Sequence, residues 1–366
     1  MRKEKKQNKI ANINLGNMGF INCYRIRQQL REIRGNIILA AGLFLSILLM
    51  IFAFTIHGSI TNLVDNTSKD VKFNYMYLLK YPPEEKPDKS EACYIKSLNI
   101  YYDLLGADLE VAVLGIDFDN PYYNFKVKCN KDEIYISDSV SKKFGYKKGD
   151  KIILNDNLED KNYTFTVADI VKYSHGLYVF MDIDNMREVF GKQDNYYNTL
   201  LSDKKINIDS GRVLSVTTHK EIVDGVSLFL DNMFGMIVSL LIVSILVFML
   251  VMYLLLKMMI DKGTFSISLI KVFGFNDKEI NKLYLGSSLY TVLIAVIISI
   301  PMGKLIMNNI YPSMVANVAT AMPAYISPMD YVIIIAIIFV SYFIVNLFLK
   351  KHLKKVSLVE ILKDRE

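Results

Sequence analysis

The chain has 366 residues, 52% of them hydrophobic and 22% charged, with a formal net charge of +6. That is more apolar than a usual soluble domain and too charged for a chain lying wholly in lipid, so membrane and aqueous portions must alternate. The basic excess divides between segments as the loops of a membrane protein do, which excludes reading it as a nucleic-acid-binding surface.

Residues 1–15 are basic and polar without periodicity, the composition of a head that meets anionic membrane lipids. Cys23, Ile26, Leu30 and Ile33 then recur at helical spacing, with Arg25, Arg27, Arg31 and Arg34 on the other faces. The pattern predicts either a basic amphipathic juxtamembrane helix within residues 1–35 or a plain continuation of the first span into water. Four stretches lack Asp, Glu, Lys and Arg altogether: residues 35–64, 232–256, 283–303 and 331–349. Each suffices to cross a hydrocarbon core of about 30 Å, which takes about 20 helical residues with every backbone amide satisfied inside the helix. The first is too long for the apolar segment of a secretory signal and no Ala-x-Ala pattern follows it. The expected spans are residues 36–56, 232–256, 283–303 and 331–349, separated by segments 57–230, 257–282 and 304–330 and followed by a tail, 350–366.

Charge gives the orientation. The head, the 257–282 loop and the tail together carry twenty Lys and Arg against eight acids, whereas residues 57–230 carry 22 bases and 27 acids. Short basic segments face the cytoplasm, so both termini and the 257–282 loop are expected inside, and the large segment outside, the plasma membrane.

The large segment reads as mixed α and β. Glu133 to Ser137, Lys151 to Leu154, Tyr163 to Val171 and Gly176 to Met181 are strand candidates. Asp138 to Phe144 reads as a short helix stopped by Gly145, and a second helix, capped by Asp184, runs to Gly191. Residues 58–110 show no decisive pattern, and Pro82-Pro83 marks an exposed loop. Tyr101, Tyr102, Tyr122 and Tyr123 are either an exposed surface for recognising an extracellular protein or peptide, or ordinary strand and core residues. Cys93 and Cys129 share the segment, and spacing alone does not say whether they pair. Thr218 and Glu221 form a Thr-x-x-Glu capping box. No proline follows from Glu221 to Leu256, so stalk and second span are one helix unless they break near 231–235. The expected fold class is thus an α-helical membrane protein with four transmembrane helices and a mixed α/β extracytoplasmic domain inserted between the first and second.

Catalytic signatures are missing. The sequence holds no Gly-x-x-x-x-Gly-Lys-Ser/Thr loop, no His-Glu-x-x-His and no Gly-x-Ser-x-Gly. The four histidines are scattered. Asp117, Asp119 and Asn120, like Asp182, Asp184 and Asn185, start as calcium loops do, but Pro121 and Met186 fall where an oxygen ligand is needed. These residues are read as turns and caps, with no catalytic residue, metal or cofactor expected on this chain.

The informative stretch is Ser266 to Ile280, SISLIKVFGFNDKEI. Ile267, Ile270, Val272 and Phe273 give one short helix an apolar side, Gly274 ends it, and Asn276 caps the next turn. Such a segment is a knob held under the membrane or an interfacial turn.

This loop resembles the signature of the FtsX-like (MacB and LolE type) ABC transporter permeases, Glu-Ile-Gly-Ile-Leu-Lys-Ala-Ile-Gly-Ala-Ser followed by charged residues and Ile. Ile267, Leu269, Ile270, Lys271, Gly274 and Ile280 fall on matching positions, and Leu358 to Lys363 resembles the family's terminal Pro-Ala-Glu-Ala-Leu-Arg pattern. One span, a large outer domain and three further spans is also the family's order. Ser266, Gly286 and Leu358 depart from its usual Glu, acidic residue and proline. The resemblance implies a permease that binds no nucleotide itself, paired with a cytoplasmic ABC ATPase dimer holding ATP and Mg and with a second permease subunit, the same chain or another. It implies that Leu269, Ile270, Val272, Phe273, Gly274, Phe275, Asn276 and Asp277 form the ATPase-coupling loop. The implied work is export or extraction of a peptide, lipoprotein or lipid-like substrate, or mechanical control of an outer partner such as a cell-wall hydrolase or sensor.

Overall fold

The computed structural model describes residues 33–83, 85–276, 279–281 and 288–355. The amphipathic pattern up to Leu30, the tail motif, Asp277 and Gly286 lie outside the described residues. The chain divides into two compact units, one of residues 1–54, 236–306 and 326–366, the other of residues 55–235 and 307–325.

The first unit is built on four long helices, α1 (Ile33–Asp70), α4 (His219–Val272), α5 (Ser288–Met314) and α6 (Pro328–Lys355), each with a stretch apolar enough to cross a membrane. All four outrun the expected spans, because nothing in their flanking sequence stops a helix where the apolar run stops. The longest difference is in α4. Its start carries the reciprocal capping box: the Thr218 N–H donates to the Glu221 carboxylate at 2.7 Å, and the Glu221 N–H donates to Thr218 Oγ1 at 3.2 Å. From there one helix of 54 residues runs past Asp231 and Gly235 without a break and takes in most of the 257–282 loop. Close approach between helices rests on small residues. A Cβ on Gly42 would lie 2.6 Å from Val251 Cγ1, and one on Gly303 2.5 Å from Ile51 Cδ1, so no larger residue fits without moving its neighbour.

The second unit is the α/β domain. Its elements are β1 (Tyr75–Leu79), β2 (Glu91–Tyr102), β3 (Ala107–Ile116), β4 (Glu133–Ser137), α2 (Asp138–Phe144), β5 (Lys151–Asp156), β6 (Lys161–Val171), β7 (Tyr178–Asp182), α3 (Ile183–Val189), β8 (Thr199–Ser202) and β9 (Val213–Thr218). The described strands form one sheet in the order β3-β7-β4-β6-β5-β2-β8-β1-β9, and β2 also pairs with β3. That extra pairing, Tyr94 against Gly115 through Tyr102 against Ala107, closes six strands into a ring. β3–β7 and β4–β6 are parallel and the other pairs antiparallel. Alternation drives the burial: on β5, Ile152 and Leu154 point inward between exposed neighbours, and they join Leu98, Val111, Val113, Ile134, Ile136 and Phe165 in one core. Within it Lys96 pairs with the buried Asp156 at 2.7 Å. This hydrogen bond holds the Asp156 carboxyl below the usual carboxylate range.

The fold class read from the sequence therefore holds, with corrections of detail. The cap of α3 is Asp182, whose carboxylate accepts the Asp184 and Asn185 N–H groups at 3.1 and 3.2 Å; Asp184 sits in the first turn. Within residues 58–110, which gave no decisive pattern, lie β2 and the start of β3, and these two strands form the longest hairpin of the domain. The 304–330 segment is not a separate loop, because Ala316 and Met322 are buried and Ala316 packs into the domain core. Cys93 and Cys129 are both free.

Truncating Leu98, wholly buried at the centre of that core, is expected to cost about 2–5 kcal/mol. Leu158→Ala, on an exposed turn, should change stability by no more than about 0.5 kcal/mol. Urea unfolding of the detergent-solubilised chain measures both; equal effects would mean the ring is not a packed core.

Candidate functional site

The end of α4 carries the candidate coupling residues. Leu269, Val272 and Phe273 are three and four residues apart, hence neighbours on one helix face, and all three are exposed, Phe273 at 72%. Phe275, just beyond the helix, is exposed as well, and Ile270 is half-buried. Beside this face the helix is anchored: Ile267, on the opposite side, and Ser268 are wholly buried, as is Ile280 in the next turn. Apolar side chains are thus displayed by a support that is itself packed. The anticipated separate short helix is instead the last turns of α4.

What stops α4 is Gly274. Its φ of +88° lies in the left-handed region, and two bonds close the end: the Gly274 N–H to the Lys271 carbonyl at 3.0 Å and the Phe275 N–H to the Ile270 carbonyl at 3.4 Å. This is the Schellman arrangement, which satisfies carbonyls that a helix end would otherwise leave open. Asn276 then starts a new turn, its N–H donating to the Glu279 carboxylate at 3.0 Å while its carbonyl accepts from the Glu279 and Ile280 N–H groups. The sequence identified both the stop and the restart.

The four tyrosines are not one surface. Tyr101 is exposed, but Tyr102, Tyr122 and Tyr123 are buried. Tyr102 meets the Phe144 ring edge-on at 5.1 Å. Tyr122 lies edge-on to Phe73 at 6.4 Å, and Tyr123 packs on Phe125 and Phe180, each at 5.4 Å. Burial raises the Tyr123 hydroxyl well above its ordinary value. The loop after β3 thus folds back to fill a second core with Val127, Tyr173 and Leu201, which a polar-looking loop sequence did not announce.

One side chain of each calcium-like stretch serves the backbone: Asp182 caps α3, and Asn120 Oδ1 accepts the Tyr122 N–H at 3.0 Å, while Asp119 pairs with Lys126 and Asp184 with Arg187. No group of three metal-ligating side chains converges among the described residues. Burial lowers His175, which lies against Tyr173 and Tyr178.

Residues 238–358 match the family described as FtsX-like permease C-terminal. That stretch is similar to the C-terminal part of FtsX-like permeases. No curated protein matches the chain. The solved extracellular domain of the noncanonic ABC-type transporter YknZ from Gram-positive bacteria is similar at 15% identity over 37% of this chain and 84% of that one, with a TM-score of 0.24, too slight a likeness to bear on the fold. The matched stretch takes in the membrane part of α4, the Gly274 turn, α5 and α6. FtsX-like permeases are membrane components of ABC transporters with the ATPase on a separate subunit, so the chain has a permease-type role as a multi-pass membrane protein.

Nothing lies within 4 Å of a Cβ built on Gly274, so a substitution there strains the backbone without a clash. Gly274→Val should loosen the turn by about 1–2 kcal/mol, and Gly274→Asn by less, because Asn visits the left-handed region more readily. Hydrogen exchange at the Gly274 and Phe275 amides in detergent measures this. Equal protection in both variants and wild type would mean that the turn does not depend on glycine.

Proposed function

We propose that this chain is the permease subunit of an ABC complex in which a separate cytoplasmic ATPase grips the exposed end of α4 and the α/β domain outside moves in response. The observation that supports this reading is the ridge of Leu269, Val272, Phe273 and Phe275, displayed beyond a buried anchor and fixed by the Gly274 turn inside the stretch similar to FtsX-like permeases. Exposed aromatics on a rigid support suit insertion into a pocket of a protein partner, because little side-chain entropy is lost on docking. ATP and Mg belong to the partner, and a second permease chain completes the pair that the ATPase dimer clamps.

The substrate is a peptide, lipoprotein or lipid-like molecule handled at the outer face and not carried through a wide polar path. Among the described residues of the spans, the buried polar side chains include Ser46, Ser244, Ser299, Ser341 and Asn346, with no buried Asp, Glu, Lys, Arg or His. An aqueous route for a charged cargo through lipid would need such groups.

The test is co-purification of the ATPase with Phe273→Ala, Phe275→Ala and, as a control, Met258→Ala, an exposed apolar residue earlier on the same helix. Losing an aromatic anchor costs about 2 kcal/mol or more, so the two Phe variants should bind about thirtyfold more weakly, and Met258→Ala should bind as wild type does. Equal recovery from all three variants would remove the coupling assignment.

A further inference from the structure

Residues 307–325, the last turns of α5 and the segment that leads on to α6, are built into the α/β domain by a set of polar contacts that no sequence pattern announces. Lys143, near the end of α2, directs its ammonium at the carbonyls of Val318, Val315 and Thr320, at 2.7, 3.4 and 3.5 Å. These carbonyls follow directly on the C-terminus of α5, where a helix leaves acceptors open and a cation is favoured. Among the described residues Lys143 forms no ion pair, and the Tyr102 ring lies 5.0 Å from its nitrogen. Burial without a counter-charge pushes the Lys143 ammonium down to about 8.

Beside it, two hydroxyls link an amide to a carbonyl with mutually consistent donors and acceptors. Ser139 Oγ accepts the Ala321 N–H at 2.8 Å and lies 3.1 Å from Thr320 Oγ1, which donates to the Ser174 carbonyl at 3.1 Å. Ser139 and Thr320 are both buried. Further along, Ser59 on α1 donates to the Pro323 carbonyl at 2.9 Å and accepts the Tyr325 N–H at 3.0 Å. Tyr311, almost wholly buried, bonds to the same Ser59, and Ala316 sits in the core cluster with Val140. Buried polar groups with partners on both sides resist separation, because parting them strands each one.

We propose that residues 307–325 are a strap that completes the α/β domain, and that Lys143 is the positioning residue that holds it. The chain then enters this domain three times, through α1, α4 and the strap. Displacing the domain pulls on the outer ends of α5 and α6 as well as on those of α1 and α4. This inference stands on contacts within the domain and does not depend on the ATPase.

Hydrogen exchange read by mass spectrometry on the full-length chain in detergent tests it. Peptides covering 315–325 should be protected in wild type and in Lys143→Arg, which keeps the donors. Lys143→Met and Ser139→Ala should each exchange at least tenfold faster there, with β4 and β6 peptides unchanged. A strap unprotected in wild type, or one as protected in Lys143→Met as in wild type, overturns the proposal. If Lys143→Met also loosens β4 and β6, Ser139→Cys with Ala321→Cys decides, with Cys23, Cys93 and Cys129 replaced by Ser. Rapid oxidative cross-linking within one chain supports the strap, and failure to cross-link overturns it.

Discussion

Lipid accepts no unpaired peptide group, and that constraint shapes the chain more than any single contact. Each crossing must be helical over its full thickness, and a helix once formed continues until a residue stops it. Hence α1 runs on to Asp70 and α4 begins at His219 and ends only at Gly274, so both belong in part to each compact unit. Even Pro301, which has no N–H to offer, sits inside α5, as prolines do where helix neighbours and lipid leave no alternative to the helix. The apolar ridge is displayed where it is because the helix that crosses the membrane does not stop at the membrane.

The α/β domain answers a different demand. A twisted sheet of this size has edges, and an open edge is a template for wrong pairing. Pairing β2 with β3 as well as β5 closes most of the sheet on itself and leaves only the β8-β1-β9 extension outside the ring. That closure makes the interior apolar enough to bury Ile134, Ile136, Val179 and Met181 completely or nearly so. It also leaves a flank for Tyr122 and Tyr123 to cover. The strap covers another, from a part of the chain about 180 positions away, as the separation of Ser139 from Ala321 shows.

What the sequence made legible follows from how local each signal is. Apolar length gave the existence of the four helices, and alternation gave β4, β5, β6 and β7. Fixed-offset chemistry gave the Thr218–Glu221 box and the Gly274 stop, each needing only a few consecutive residues. The β2–β3 hairpin escaped because Lys96 interrupts the inward series of Tyr94, Leu98, Ile100 and Tyr102 with a charge. The sequence left the tyrosines open between surface and core, because burial of a loop is set by what it folds against, and the structure buries Tyr102, Tyr122 and Tyr123. Lys143 was invisible as an anchor, since its acceptors are backbone carbonyls far along the chain, and no residue type marks a carbonyl. At the candidate coupling site the apolar residues and the glycine were legible, while the continuity of the knob with α4 was not.

The account rests on the ridge and the α/β domain facing opposite sides of the membrane, with the ridge inside. Single-cysteine labelling on intact cells tests this directly, using an impermeant maleimide, Leu158→Cys on the exposed β5–β6 turn and Phe273→Cys on the ridge. Leu158→Cys should react in intact cells and Phe273→Cys only after permeabilisation. Labelling of Phe273→Cys in intact cells, with Leu158→Cys protected, would contradict the account.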